Sequence, residues 1–168
     1  MTVHSRRGWL WIVGSMKPEP LISVEDADWL SLRLQLWPDC PRQRHLEEMA
    51  SFLREPDQFV QFIVRDPSGR GVGFAEASIR TDYVNGTSSS PVAYLEGLYV
   101  APEARGRGVA RSLVLAVSEW ALAAGCTELA SDTQPENLVS QAVHTQLGFV
   151  ETERAVFFSK SLGLGKVD

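Results

Sequence analysis

The sequence predicts an α/β (α+β) chain: one mixed, mostly antiparallel sheet flanked by helices. Three features predict it. Residues 95–100 form a short hydrophobic strand closed by Pro102, which runs through a glycine-rich turn into a helical repeat beginning at Val109. Residues 59–65 and 71–79 read as paired strands joined across the turn Asp66-Pro67-Ser68-Gly69. The whole chain orders its elements β-α-α-β-β-β-α-β-α-β, with hairpins early and strand–helix crossovers late.

Taken in order, residues 21–24 are expected to be a first strand. Ser23, Glu25 and Asp26 then mark a helix start. Leu30, Leu34 and Trp37 share one face of that helix, and Pro38-Asp39-Cys40-Pro41 breaks it. Pro41 opens a second helix that turns Leu46, Met49, Ala50 and Leu53 inward. After the hairpin, residues 80–86 enter a long connection whose Asn85-Gly86 is a turn signal. From Val109 the apolar positions Val109, Leu113, Ala116, Val117, Trp120 and Ala124 fall on one face of the expected central helix. Residues 128–132 form the next strand. A last helix from Asn137 presents Leu138, Val139, Ala142, Val143 and Leu147, with Gly148 as its C-cap. Residues 149–158 are expected to be the final strand.

With 168 residues, 44% of them hydrophobic and 22% charged, the chain has the makeup of one soluble domain with a full core. Its net charge of −5 argues against a nucleic-acid partner held by bulk electrostatics and suits a cationic one. No segment is long and apolar enough for a membrane span. Cys40 and Cys126 lack metal or redox spacing and read as free thiols, so no metal is expected. Ser5-Arg6-Arg7 before Gly8-Trp9-Leu10-Trp11 is similar to a twin-arginine export signal. Its apolar run is short, and Ser15-Met16-Lys17-Pro18 replaces a cleavage site. Residues 1–16 are therefore expected to lie outside the fold, residues 17–168 to form one domain, and the protein to be cytoplasmic.

The glycine-rich turn carries the first chemistry. Arg105-Gly106-Arg107-Gly108-Val109-Ala110 can offer several backbone N–H groups at a positive helix end, with Arg105, Arg107 and Arg111 adding charge. That is an anion site. It lacks the G-x-G-x-x-G of a dinucleotide fold and the G-K-[ST] of a P-loop.

R-x-x-G-x-A after a strand ending V-x-P resembles the acyl-CoA signature of the GNAT superfamily of N-acetyltransferases. Asn137-x-x-x-Gln141-Ala142-Val143-His144-x-x-Leu147-Gly148-Phe149 resembles the other half of that superfamily's pattern. The resemblance spans roughly residues 20–158 and implies the GNAT acyl-CoA N-acetyltransferase fold. Further strings, among them Leu36-Trp37-Pro38, Ala77-Ser78-Ile79-Arg80, Asp82-Tyr83-Val84-Asn85-Gly86, Leu95-Glu96-Gly97, Ala130-Ser131-Asp132-Thr133 and Glu151-Thr152-Glu153-Arg154, look like the aminoglycoside 6'-N-acetyltransferases, in their bacterial chromosomal branch.

The resemblance implies acetyl-CoA as co-substrate and a polycationic aminoglycoside as acceptor. Leu98, Tyr99 and Val100 would pair with the pantetheine arm, as an added strand pairs with a sheet edge. Residues Arg105, Gly106, Arg107, Gly108, Val109, Ala110 and Arg111 would hold the pyrophosphate, and Asn137 the cofactor arm. Trp37, Tyr83, Glu96, Asp132 and Glu153 would line the aminoglycoside cleft, and the protein would be a homodimer, as members of this branch are, in some cases with the C-terminal strand exchanged. Two other readings stand beside this one: a GNAT enzyme for another small amine or a protein N-terminus, and a non-catalytic acetyl-CoA-binding module.

The chemistry gives these residues work to do. An alkylammonium has a pKa of roughly 10, so about one amine in a thousand is neutral at pH 7. A carboxylate must take that proton, and Asp132 is the first candidate, then Glu96. The Leu98 backbone N–H is the candidate donor to the oxyanion. Many GNAT enzymes carry a tyrosine four residues before the glycine of L-G-F. Here His144 stands there, with its role left open.

Overall fold

The computed structural model describes residues 16–162. Ten elements follow in chain order: β1 (Pro18–Pro20), α1 (Ala27–Leu36), α2 (Arg42–Arg54), β2 (Phe59–Arg65), β3 (Gly71–Arg80), β4 (Val92–Val100), a short 3-10 turn (Pro102–Ala104), α3 (Val109–Ala123), β5 (Leu129–Ala130) and α4 (Leu138–Gln146). The strands lie side by side in the order β1-β2-β3-β4-β5. All neighbours are antiparallel except β4 and β5, which run parallel.

Two layers cover the sheet. Val64, Val72, Ala75, Ala77 and Leu95 pack against Val109, Leu113, Val114 and Val117 of α3 on one face. Ile63 and Phe74 pack against Trp29, Leu30 and Leu32 of α1 and Met49 of α2 on the other. From Gly73 onward β3 keeps the two-residue period of a strand, with odd positions toward α3 and even positions toward α1; before it, at the register shift opposite Val64 and Arg65, Val72 faces α3 and Gly71 faces α1.

The first strand lies a few residues earlier than the pattern suggested. Pro18 and Pro20 sit on an edge strand, where a missing N–H costs no ladder bond. Leu21 continues the pairing with one bond to the Gln61 carbonyl (2.9 Å). Helix α1 starts at Asp26, whose side chain caps the N–H groups of Asp28 and Trp29. Met16 packs against the α3-side core and so belongs to the domain; residues 1–15 lie outside the described residues.

Two expectations fail at the C-terminal end. No residue of α4 is fully buried, and Leu138 and Val139 are exposed. Only Leu147 and Phe149, at and beyond its end, reach the core. Residues 149–158 form no strand: among the described residues they pair with no edge of the sheet, and Val156, Phe157 and Phe158 are 79 to 92% exposed.

A buried polar network lies beneath the middle of the sheet. Arg33 donates to Glu76 and Glu48, both at 2.5 Å, and its Nε donates to Nδ1 of His45 (3.2 Å). Trp29 Nε1 donates to Glu76 (2.6 Å), and His45 Nε2 donates to the Trp37 carbonyl (3.3 Å). Burial pushes the Glu76 carboxyl up, and the Arg33 guanidinium pulls it back. A buried network of this kind is weak evidence for stability; here it ties α1, α2 and β3 together and holds the Trp37 carbonyl.

Candidate functional site

Strand β4 organises the site, and its decisive feature is a bulge. Gly97 pairs with Glu76 of β3 while Leu95 pairs with Ala77, so Glu96 is an extra residue with no partner of its own. The inserted residue shifts the alternation. Before it, Ala93 and Leu95 face the α3 side; after it, Leu98 and Val100 do. Glu96, Gly97 and Tyr99 therefore all serve the α1 face.

At the bulge stands a chain of polar contacts. Glu96 accepts from Ser78 Oγ (2.5 Å) and from Nη2 of Arg80 (2.8 and 2.9 Å). The Arg80 guanidinium lies 3.5 Å from the centroid of the Tyr94 ring. Tyr94 donates its hydroxyl to Asp132 Oδ1 (2.6 Å). Burial, then the bond to Asp132, push the Tyr94 phenol upward, so it remains a proton donor at neutral pH. The structure thus brings Glu96 and Asp132 into one cluster.

Trp37 reaches this cluster from the end of α1. Its ring sits edge-on to Phe74 and so close to Gly97 that a Cβ there would come within 2.5 Å of it. It is half-buried, core on one side and open on the other. Cys40 lies beside it, its N–H donating to the Trp37 carbonyl (3.1 Å). Tyr83 is 80% exposed on the β3–β4 connection. A Cβ at Gly86 of that connection would strike Thr152, with Glu153 next to it, so Glu153 is brought to the loop that carries Tyr83.

The other end of β4 leads to the glycine turn. Strand β5 pairs only Leu129 with Ala93 and Ala130 with Tyr94, and there it stops. From Leu95 to Val100 that edge of β4 has no strand partner among the described residues. Gly108 then caps α3 with φ +81° and no side-chain cap, leaving the first-turn N–H groups open. Gly106 has φ +72°, and a Cβ at either glycine would meet nothing within 4 Å. Arg105 spends its Nε on the Val100 carbonyl (3.0 Å), while Arg107 and Arg111 are exposed. The turn fits a diphosphate: a left-handed backbone, free N–H groups, clear space and positive charge. Asn137 caps α4, its Oδ1 accepting from the Ser140 N–H (3.0 Å), which leaves its amide nitrogen for a ligand.

His144 is on α4 and its ring reaches Ser131 just past β5. Its Nδ1 donates to the Ser140 carbonyl (2.8 Å), so its Nε2 accepts from Ser131 Oγ (2.9 Å). This anchors the residue before Asp132. Among the described residues no group of three His, Cys, Asp or Glu is arranged to hold a metal. A cleft of about 350 Å³ bounded by Leu21, Phe52, Leu53, Phe59 and Trp120 contains none of the site residues.

Ser78, Arg80 and Tyr94 escaped the reading of the sequence as site residues. The signal was there: Glu76, Ser78 and Arg80 put a polar residue at every second position of an inner strand, where burial calls for apolar ones.

A mixed sheet splayed open at its fourth strand, with a glycine turn at the start of the following helix, is the plan of an acyl-CoA N-acetyltransferase. Residues 22–149 match the acetyltransferase (GNAT) family, and the chain belongs to it. The aminoglycoside N(6')-acetyltransferase type 1 of Salmonella typhimurium is 52% identical over 132 residues, 79% of this chain and 90% of that protein. Among solved structures, AAC(6')-Iy in complex with a bisubstrate analogue, CoA-S-monomethyl-acetylneamine, is 47% identical with a TM-score of 0.82, covering 86% of this chain and 97% of that one. AAC(6')-Ih from Acinetobacter baumannii is 44% identical with a TM-score of 0.82, covering 88% and 99%. Within the GNAT family, the chain belongs with the aminoglycoside N(6')-acetyltransferases.

Proposed function

We propose that the protein transfers the acetyl group of acetyl-CoA to the 6'-amine of aminoglycosides, and so confers resistance to them. The observation that carries this reading is the joining, by one strand, of an open anion-binding turn to a cluster of carboxylates. A thioester cofactor with a diphosphate fits the turn, and a polycation fits the carboxylates.

In this reading the backbone of Leu98, Tyr99 and Val100 receives the pantetheine arm along the free edge of β4. Residues Gly106 to Arg111 hold the diphosphate, and Asn137 the arm. Trp37 and Tyr83 give flat faces to sugar rings, and Glu153 adds charge at the rim. Glu96 and Asp132 divide the work. Both oxygens of Glu96 are engaged by Arg80, and one also by Ser78, so it acts as fixed negative charge. Oδ2 of Asp132 has no partner among the described residues, which suits it to take the ammonium proton as the amine attacks the thioester carbon. The carbonyl oxygen becomes an oxyanion that the Leu98 N–H stabilises; as it re-forms the carbonyl, the C–S bond breaks, and the proton lost from the new amide nitrogen balances the one the CoA thiolate takes up to leave as thiol.

Thiol release from acetyl-CoA, measured across kanamycin-type substrates with and without a free 6'-amine, tests the reading. Turnover is expected only where that amine is free. Equal turnover without it would overturn the assignment.

The protein is further proposed to act in the cytoplasm, as a homodimer. Among the described residues no helix is long and apolar enough to cross a membrane. The exposed side chains of Val150, Val156, Phe157, Phe158 and Leu162 support the dimer, because a run of this kind is costly to leave in water. Light scattering at micromolar concentration is expected to give twice the chain mass; an active monomer would contradict it.

A further inference from the structure

Asp132 stands just past the end of β5 and is exposed. An exposed aspartate normally samples several rotamers, and a general base that wanders loses rate. Here one oxygen is tied down. Tyr94 is paired between Ser78 of β3 and Ala130 of β5, so its backbone is fixed on both sides. Its ring carries the Arg80 guanidinium at 3.5 Å, and Arg80 is in turn held by Glu96. From that fixed ring the hydroxyl reaches Asp132 Oδ1 at 2.6 Å. The backbone beside Asp132 is anchored separately, by Ser131 on His144.

We infer that Tyr94, backed by Arg80, is the positioning residue of Asp132: it occupies Oδ1 and thereby aims Oδ2 at the substrate amine. The inference rests on the reading of Asp132 as the group that takes the amine's proton. It gives Arg80 a place as well. One guanidinium holds Glu96 through its edge and Tyr94 through its face, so the charge that attracts the polycation and the base that acts on it share one support. Tyr94 touches neither the amine nor the thioester in this account; its effect passes through Asp132 alone.

The test is a mutant cycle. Tyr94→Phe keeps the ring and the Arg80 stack and removes only the hydroxyl, so the fold is expected to persist, checked by an unchanged far-UV spectrum and melting temperature. With a kanamycin-type substrate bearing a free 6'-amine, kcat is expected to fall by roughly 10-fold, with the acetyl-CoA KM unchanged. In an Asp132→Asn background, Tyr94→Phe is expected to cost less than about 2-fold, because the residue it acts through is already disabled. An equal loss in both backgrounds would overturn the inference in favour of a structural role for Tyr94. Wild-type kcat in Tyr94→Phe, alongside a strongly impaired Asp132→Asn, would overturn this inference and leave the catalytic reading standing. Wild-type kcat in Asp132→Asn would instead overturn the reading of Asp132, and this inference with it.

Discussion

In the proposed function, the two ends of β4 solve two recognition problems by different means. At the glycine-turn end the proposed donors are main-chain N–H groups of consecutive residues, at and before the uncapped start of α3. At the bulge end the groups are side chains from separate elements: Ser78 and Arg80 from β3, Tyr94 and Glu96 from β4, Asp132 beyond β5 and Trp37 beyond α1. The first end needs only a local conformation. The second exists only when register, bulge and helix packing are all correct. A diphosphate asks for little more than clear space and positive ends of dipoles. A reacting amine asks for a base aimed within a fraction of an ångström. The difference between the ends follows the difference in those demands.

Substitutions at the two ends should therefore fail in different ways. The largest effect is expected at Asp132. Asp132→Asn keeps shape and hydrogen-bonding capacity toward Tyr94 but removes charge and base, and kcat should fall by roughly 100-fold or more, the scale of a general base. Initial rates at saturating acetyl-CoA read it. If Asp132 served only to attract the polycation, kcat would hold and KM alone would rise.

Next in size is Gly108→Val. The φ of +81° strains any β-branched residue, and the added atoms project into open space that the proposed function gives to the diphosphate. The acetyl-CoA KM should rise by about 10-fold or more, with the aminoglycoside KM little changed. Gly69→Val is the control. It carries the same strain at φ +89° in the β2–β3 turn, also in open space, and should leave both KM values alone. A rise in the control equal to that at Gly108 would show that backbone strain, and not the ligand, is being read.

The smallest effect is expected at Glu96. Glu96→Gln removes fixed charge, so the aminoglycoside KM should rise by about 10-fold while kcat stays within roughly 3-fold. Added salt should reproduce the rise in the wild type by screening, and should do less to the variant. A kcat loss as deep as that of Asp132→Asn would make Glu96 the base instead.

The same contrast explains what could be read from the sequence. The turn, the hairpin and α1 to α3 were legible because each is written in neighbouring residues: a proline, a glycine pair, or an apolar repeat at a helix's period. Glu96 and Asp132 were legible as acids near strand ends, and through the family resemblance. Their connection through Arg80 and Tyr94 was not, because it depends on a bulge that puts Glu96 opposite no residue of β3. The strand expected at residues 149–158 was over-read for the converse reason. Its residues have the composition of a strand, but a strand forms only against a partner edge, and among the described residues these pair with none. The apolar residues at the start of α4 likewise satisfy a helical pattern without meeting a surface inside the chain.

The claim that the two ends are separate devices is tested most directly by combining Gly108→Val with Asp132→Asn and varying both substrates. The account predicts that the double variant shows the acetyl-CoA KM of the first change and the kcat of the second, so that the two effects multiply in kcat/KM. If Asp132→Asn alone raised the acetyl-CoA KM as much as Gly108→Val does, or if the second change cost nothing once the first was made, the two ends would be one site and the account would be wrong.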